Sequence, residues 1–257
     1  DHKRVTRTCT FRFYEELNDF LPKDLQKKSF PFSFTGNPSV KDTIEAIGVP
    51  HTEIDLILID GKSVDFTIKL KGDEYISVYP VFESFDISEL IHLRPEPLRK
   101  VKFICDVNLG KLALKLRLLG FDTLFRNSFN DYEIVDLSLR ERRTILTRDL
   151  GILKYQNVTH GYWIRNDDPQ EQIKEVVVRF QLEKKFNPFT HCTKCNGLLQ
   201  ITQKEMIKEK LEKNTYKNFD QFMECKDCGK VYWKGSHYEK IIRWIDDLDG
   251  SLQLNRN

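Results

Sequence analysis

This 257-residue sequence predicts two folded segments of different class, followed by a small cysteine-bearing end. Three observations carry that expectation. Before residue 88, strand-like runs surround one short helix and a hairpin, an α+β pattern. From residue 100, apolar strands alternate with helices, the pattern of α/β units around a mostly parallel sheet. After residue 187, four of the six cysteines fall into two Cys-x-x-Cys pairs.

The elements follow in order. Residues 5–14 (VTRTCTFRFY) alternate with the period of a half-buried strand. A polar stretch runs through Lys28, and SFPFSF resumes the strand pattern. Ser39 is placed to cap a short helix, VKDTIEAI, that Gly48 closes. Two apolar runs flank Asp60-Gly61, a hairpin signal, and EYISVYPVF is the last strand of this segment. Pro95 and Pro97 mark 89–99 as a linker between a first domain, 1–88, and a second, 100–187. In the second domain VKFICD, FDTLF, TILTRD and GYWIR read as strands. LGKLALKLRLLG, DYEIVDLSLRERR and DDPQEQIKEVVVRFQLEKKF read as helices. Residues 188–257 form the cysteine-bearing end and tail, with an expected helix at QKEMIKEKLEK in the insert.

Composition excludes several classes. With 40% hydrophobic residues, the chain has material for real cores and is not wholly disordered. No apolar run approaches the ~18–20 residues of a membrane span. The start, DHKRVTRTCTF, has no apolar stretch of the signal-peptide kind. The net charge is only +2, so any nucleic-acid binding must rest on local basic patches. Paired cysteines without a signal suit a metal site in a reducing compartment, so a cytoplasmic location is expected.

Asp106 ends one strand of the second domain, Asp149 ends another, and Asp131 begins the helix between them. In a parallel sheet these positions share the edge where ligands bind. Gathered carboxylates repel unless a cation compensates, and Mg²⁺ or Mn²⁺ suits oxygen donors. Such an ion activates water and stabilises a phosphodiester transition state. Asn108 can add an amide oxygen, and Asp167, after the last strand, is the candidate fourth acid. The plainer reading of Asp131 is a helix cap. Asp168 is read as structural: it precedes Pro169 and stands three residues before Glu171, a cap with a capping box.

Cys192, Cys195, Cys225 and Cys228 supply four thiolates for one tetrahedral Zn²⁺, a closed structural site. Asn196-Gly197 and Asp227 with Gly229 fit tight knuckle turns, and His191 and His237 are left to the surface. The alternative is a redox pair, which two knuckle-like pairs disfavour. Across residues 93–126 eight basic residues face three acids, with Lys111, Lys115 and Arg117 on one helix. A second basic set, including Lys230 and Lys234, is interleaved with Tyr232, Trp233 and Tyr238. Cations hold phosphates and aromatic faces stack on unpaired bases, which suits single-stranded RNA. The alternative is a solvated helix face with ribbon-core aromatics, and packing is a full rival to stacking for Trp233 and Trp244.

The runs FICDVNLGKLALKLRLLGFDTLFRN and DYEIVDLSLRERRTILTRDLGIL resemble the Mut-seven C-terminal RNase domain, a PIN-like nuclease family. HCTKCNGLL and CKDCGKVYWKGSHYEKI resemble that family's zinc ribbon, and the likeness covers 99–245. It implies metal-dependent RNA hydrolysis with Asp106, Asp131 and Asp149 at the acidic positions. Thr147 and Arg148 belong to the same signature, and Arg148 is expected at the RNA. RFYEELNDFL, SVKDTIEAIGVPHTEIDLILIDGK and DEYISVYPVFE resemble the ubiquitin-like, β-grasp domain that precedes this nuclease in some bacterial proteins. It is similar to sulfur carriers, but VFESFDISEL runs on without a Gly-Gly end, so thiocarboxylate chemistry is not expected. The implied activity is a metal-dependent ribonuclease. The alternative is a non-catalytic RNA- or ribosome-binding factor that keeps the PIN-like fold. No catalytic candidate precedes residue 89, so the first domain is expected to be dispensable for cutting naked RNA. It would instead dock a ribosome or other ribonucleoprotein.

Overall fold

The structure, a computed structural model, describes residues 6–80, 101–183 and 185–254. The expected linker, 89–99, lies outside the described residues. The described residues pack as two compact units: 6–80 with Asp149–Tyr162, and 101–148 with 163–254.

In the first unit, β1 (Thr6–Phe13) buries Cys9, Phe11 and Phe13 on one face. Alternation of this kind places every second side chain in the core. β2 (Phe30–Thr35) runs antiparallel to β1, with Phe11 opposite Phe30. α1 (Val40–Ile47) begins at Ser39, whose hydroxyl accepts from the Asp42 amide while Asp42 accepts from the Ser39 amide. Gly48 ends it at φ 123°, where a side chain would be strained. β3 (Leu56–Ile59) and β4 (Lys62–Val64) form the expected hairpin, with Asp60 at φ 48° and Gly61 at φ 80°. That pair of positive angles matches the right-handed twist of the strands. β5 (Tyr75–Tyr79) lies parallel to β1 and antiparallel to β3, giving the order β2-β1-β5-β3-β4. A parallel central pair needs a crossover, and α1 lies within it, burying Val40 and Ile44. This is the ubiquitin-like arrangement. The polar stretch after β1 is not plain loop. Glu15–Phe20 forms a tight 3₁₀ turn that buries Leu17, and Asn18 donates to Phe13 O and Glu15 O.

In the second unit, β6 (Phe103–Cys105) is parallel to both β7 (Thr123–Leu124) and β8 (Thr144–Thr147). α2 (Gly110–Leu118) connects β6 to β7, and α3 (Asp131–Glu141) connects β7 to β8. α2 ends at Gly120, φ 94°, where a Cβ would sit 1.9 Å from Asn187 O. After β8 the chain runs through one turn, α4 (Leu150–Leu153), and into β9 (Gly161–Trp163), a stretch that up to Tyr162 is counted with the first unit, and it returns to the second with α5 (Pro169–Arg179). The sheet order is β7-β6-β8-β9, so the alternating pattern is an α/β sheet as expected.

The cysteine-bearing end adds a three-stranded antiparallel ribbon, β10 (Leu199–Thr202), β11 (Phe222–Cys225) and β12 (Val231–Trp233). The insert departs from expectation. Lys204–Lys210 is 3₁₀ and α6 begins only at Lys213, ending at Asn218. Only Ile207 of the 3₁₀ stretch is buried, too little apolar surface to hold a regular helix. The aromatic tail is a 19-residue helix, α7 (Ser236–Leu254), anchored by Ile245, Leu248 and Leu252 at helical spacing.

The segment Asp149–Tyr162 belongs to the first unit. It buries Ile152, Leu153 and Val158. The His51 ring, itself 7% exposed, places Nε2 2.6 Å from the Val158 carbonyl and Nδ1 2.5 Å from Glu45. Lys41 Nζ donates to Gln156 O at 3.4 Å.

Candidate active site and metal centre

Asp106 follows β6 directly and is 2% exposed. Its Oδ1 accepts from the Asn108 amide at 2.8 Å. Its Oδ2 accepts from the Thr147 hydroxyl at 2.5 Å and the Arg148 amide at 2.9 Å. Thr147 and Arg148 therefore clasp the end of the neighbouring strand, and Asn108 contributes its backbone where its side-chain oxygen was expected. Each carboxylate oxygen has two acceptor sites, and among the described residues Oδ1 takes this one hydrogen bond.

Asp131 is the first residue of α3 and is exposed. It is not the cap: Asn130 accepts from the Glu133 amide, and Glu133 accepts from the Asn130 amide. The plainer reading of Asp131 is thereby removed. Asp149 caps α4, with Oδ1 accepting from the Gly151 amide at 2.7 Å, and it lies in the first unit. Asp167 is exposed and ion-paired to Arg148. Asp168 caps α5 with Pro169 next, as expected, but Glu171 bonds Lys174 and does not complete a capping box.

The basic candidates divide. Lys111 is exposed on α2. Lys115 lies 4.6 Å over the Trp244 ring, and burial lowers its pKa. Arg117 is corrected outright: it is 4% exposed, with Nε donating to Thr123 O at 2.8 Å and Nη1 to Thr193 O at 3.1 Å. Its guanidinium is spent as a strut on backbone carbonyls and is not the free surface cation expected. Arg148 spends its guanidinium on Arg165 O, Asn166 O and Asp167, so it holds that loop. Lys230 and Lys234 are exposed, beside Tyr232 and Tyr238. Trp244 packs, donating to Gln170 at 3.1 Å.

The four thiols are drawn together. Cys192 and Cys228 lie 3.6 Å apart and Cys195 and Cys225 3.4 Å, with all four sulfurs within 4.8 Å. Sulfurs on a tetrahedral zinc at ~2.3 Å would be separated by about 3.8 Å, so the set fits the ion. The two turns are built alike. The Cys192 amide donates to Gly197 O and the Asn196 amide to Cys192 O; the Cys225 amide donates to Lys230 O and the Gly229 amide to Cys225 O. Asn196 and Gly229, in matching positions, both have positive φ. Gly197 is required, because a Cβ there would lie 2.4 Å from Asp227 and 2.8 Å from the Cys225 sulfur. Against a Cys192 thiolate the Tyr232 hydroxyl is a donor at 3.1 Å, an outer partner of the kind that steadies metal ligands. Cys9 and Cys105 are buried, and burial is the main cause that pushes both thiols up, Cys9 to about 12. Among the described residues, the cysteines are the one group of three or more His, Cys, Asp or Glu donors close enough to share an ion.

Sequence reasoning missed the residues that fasten the first knuckle to the sheet. Asn196 accepts from the Thr123 amide at 2.8 Å and donates to Asp122 at 2.6 Å. Asp122 also receives Arg143 at 2.6 Å. Burial would raise the Asp122 pKa, but the bonds from Arg143 and Asn196 prevail and hold it below the usual carboxylate range. Asn196 had been read only as a turn residue.

The Mut7-C RNAse domain family matches residues 101–245, and the Mut7-C ubiquitin family matches residues 6–86. No curated protein matches the chain, and no solved structure does.

Proposed function

The chain belongs to the Mut7-C RNAse domain family, and on that premise we propose that it is a Mg²⁺- or Mn²⁺-dependent ribonuclease acting on single-stranded RNA. We assign the metal to Asp106, Asp131, Asp149 and Asp167. Such an ion, when bound, supplies charge against the phosphate and lowers the pKa of its water. Asp106 would anchor it through Oδ1. Thr147 and the Arg148 amide keep that carboxylate in one orientation. Arg148 holds Asp167 beside the strand end. The observation that carries the reading is the buried Asp106, clasped by the Thr-Arg pair at the end of a parallel strand.

The modules we assign are the ubiquitin-like domain, 1–88, a connection, 89–99, the nuclease domain, 100–187, and the zinc ribbon with its tail, 188–257. Zinc at the four cysteines is structural in this reading. Free cysteines without disulfides suit the cytoplasm. Among the described residues no helix is long and apolar enough to cross a membrane. A ribosome or other ribonucleoprotein is the partner we assign to the ubiquitin-like domain.

A second reading, an RNA- or ribosome-binding factor that does not cut, draws on one observation: among the described residues, Asp106, Asp131 and Asp167 of the second unit are not gathered as the thiolates are. Mn²⁺ binding followed by paramagnetic resonance separates the assignments. The full chain, with zinc retained, is expected to bind Mn²⁺, and Asp106→Asn is expected to weaken that binding about tenfold to a hundredfold. Undiminished Mn²⁺ binding by Asp106→Asn and Asp149→Asn alike would remove the assigned site.

A further inference from the structure

Beside the three-stranded ribbon and the start of α7, the second unit contains a cavity of about 590 Å³. That is within the ~300–1,000 Å³ typical of small-ligand sites. Its lining includes Phe222, Tyr232, Trp233 and Tyr238, with Lys230 and Lys234. The rings are held by their surroundings. Tyr238 stacks on Phe189 at 4.4 Å, and the Tyr232 hydroxyl is tied to the Thr193 amide at 3.0 Å. Trp233 is 39% exposed, in tilted contact with Phe219 at 6.5 Å. Its indole thus has a packed side and an accessible one.

The charge of the lining is positive. Asp220 is the only acid in it, and Lys204 pairs with that acid at 2.8 Å. Lys230 and Lys234 have no carboxylate partner among the described residues; their ammonium groups lie 5.1 Å and 5.9 Å from the Tyr232 and Tyr238 ring centres. Aromatic faces select a planar π-system, and unpaired cations beside them select a neighbouring phosphate. A nucleotide within a strand carries both.

We propose that this cavity receives one unpaired nucleobase of an RNA strand, stacked on Trp233, with adjoining phosphates at Lys230 and Lys234. The inference rests on RNA being the substrate, and it makes the ribbon a base-holding site as well as a zinc-stabilised element. Stacking is tolerant of base identity, so the pocket selects unpaired RNA over duplex without reading a sequence.

The test uses the full, zinc-loaded chain in buffer without Mg²⁺ or Mn²⁺. The probes are a fluorescein-labelled oligoadenylate decamer and the matching abasic ribose-phosphate decamer. The base-bearing strand is expected to bind about tenfold tighter and to quench Trp233 emission. Trp233→Ala should bring the ratio of the two affinities close to one, while zinc content and circular dichroism stay unchanged. Trp233→Leu, which keeps bulk without a π face, does the same if the smaller variant fails to fold. Lys230→Gln with Lys234→Gln should weaken both strands alike and lower the salt slope by about 0.7 per lysine. Equal affinity for the two strands, or an unchanged ratio in folded Trp233 variants, overturns the proposal. Cleavage is measured separately with Mn²⁺. A chain that discriminates bases yet never cuts keeps this pocket and loses the nuclease. One that cuts without sensing bases keeps the nuclease and loses the pocket.

Discussion

Arg117 and Asp106 are both charged residues of the second unit, both almost fully buried, and the sequence distinguished them poorly. Asp106 was legible because it ends an apolar strand. Arg117 was counted with the surface lysines, although it lies four residues after the buried Ala113 and so shares its face of α2. The helical period held that signal; the charge concealed it. Asp122 escaped notice because its function depends on Asn196, 74 residues away. Its carboxylate pKa is depressed in the fold, so its contribution is present above the unfolded value, ~3.9. The contribution is lost as pH falls through the lower folded value. Asp122→Asn is therefore expected to cost about 1–3 kcal/mol at neutral pH and to flatten the acid limb of the stability curve. Denaturant titrations from pH 7 to pH 3 check both. Gly197→Ala should reduce zinc retention, since its methyl would collide with Asp227 and the Cys225 sulfur; competition with a chromogenic chelator reads the loss.

At the level of elements, periodicity located the strands and main helices, and cap chemistry located their ends. It failed where tertiary bonds decide. The Lys/Glu-rich insert has helix-forming residues but no buried stripe, and it folds as 3₁₀ turns and a short helix. As a segment of its own, 188–257 would be expected to stand apart from the nuclease core. Instead Arg117 reaches the knuckle carbonyl of Thr193, and Asn196 bonds Asp122 and the Thr123 amide at β7. Removing zinc should therefore lower the stability of the whole second unit and not merely loosen the ribbon. Hydrogen exchange after chelation is expected to accelerate at 121–124 as well as at 191–197. Protection unchanged at 121–124 would show that the sheet stands without the knuckle.

For the whole molecule, the order of domains and their classes were readable, because each class has its own spacing of apolar residues. The allegiance of residues 149–162 was not. That stretch continues the nuclease pattern along the chain, yet it packs with the ubiquitin-like unit, with His51 at the Val158 carbonyl and Lys41 at Gln156. The segment begins at Asp149, so its packing favours the opposite of the dispensability expected from the sequence. Deleting residues 1–88 should expose Ile152, Leu153 and Val158, lower solubility and reduce cleavage of naked RNA. His51→Ala in the full chain should cost about 1–3 kcal/mol and speed amide exchange at 150–158, a milder form of the same loss.

The central claim is hydrolysis of RNA through the aspartates. Its most direct test is cleavage of a 5′-labelled single-stranded RNA by the full, zinc-loaded chain, with and without Mn²⁺, beside Asp106→Asn and Asp149→Asn of equal zinc content. The account predicts cutting that requires Mn²⁺ and falls about a hundredfold or more in each variant. Cleavage that persists undiminished in both variants, or RNA that is bound and never cut by the unaltered chain, would contradict it.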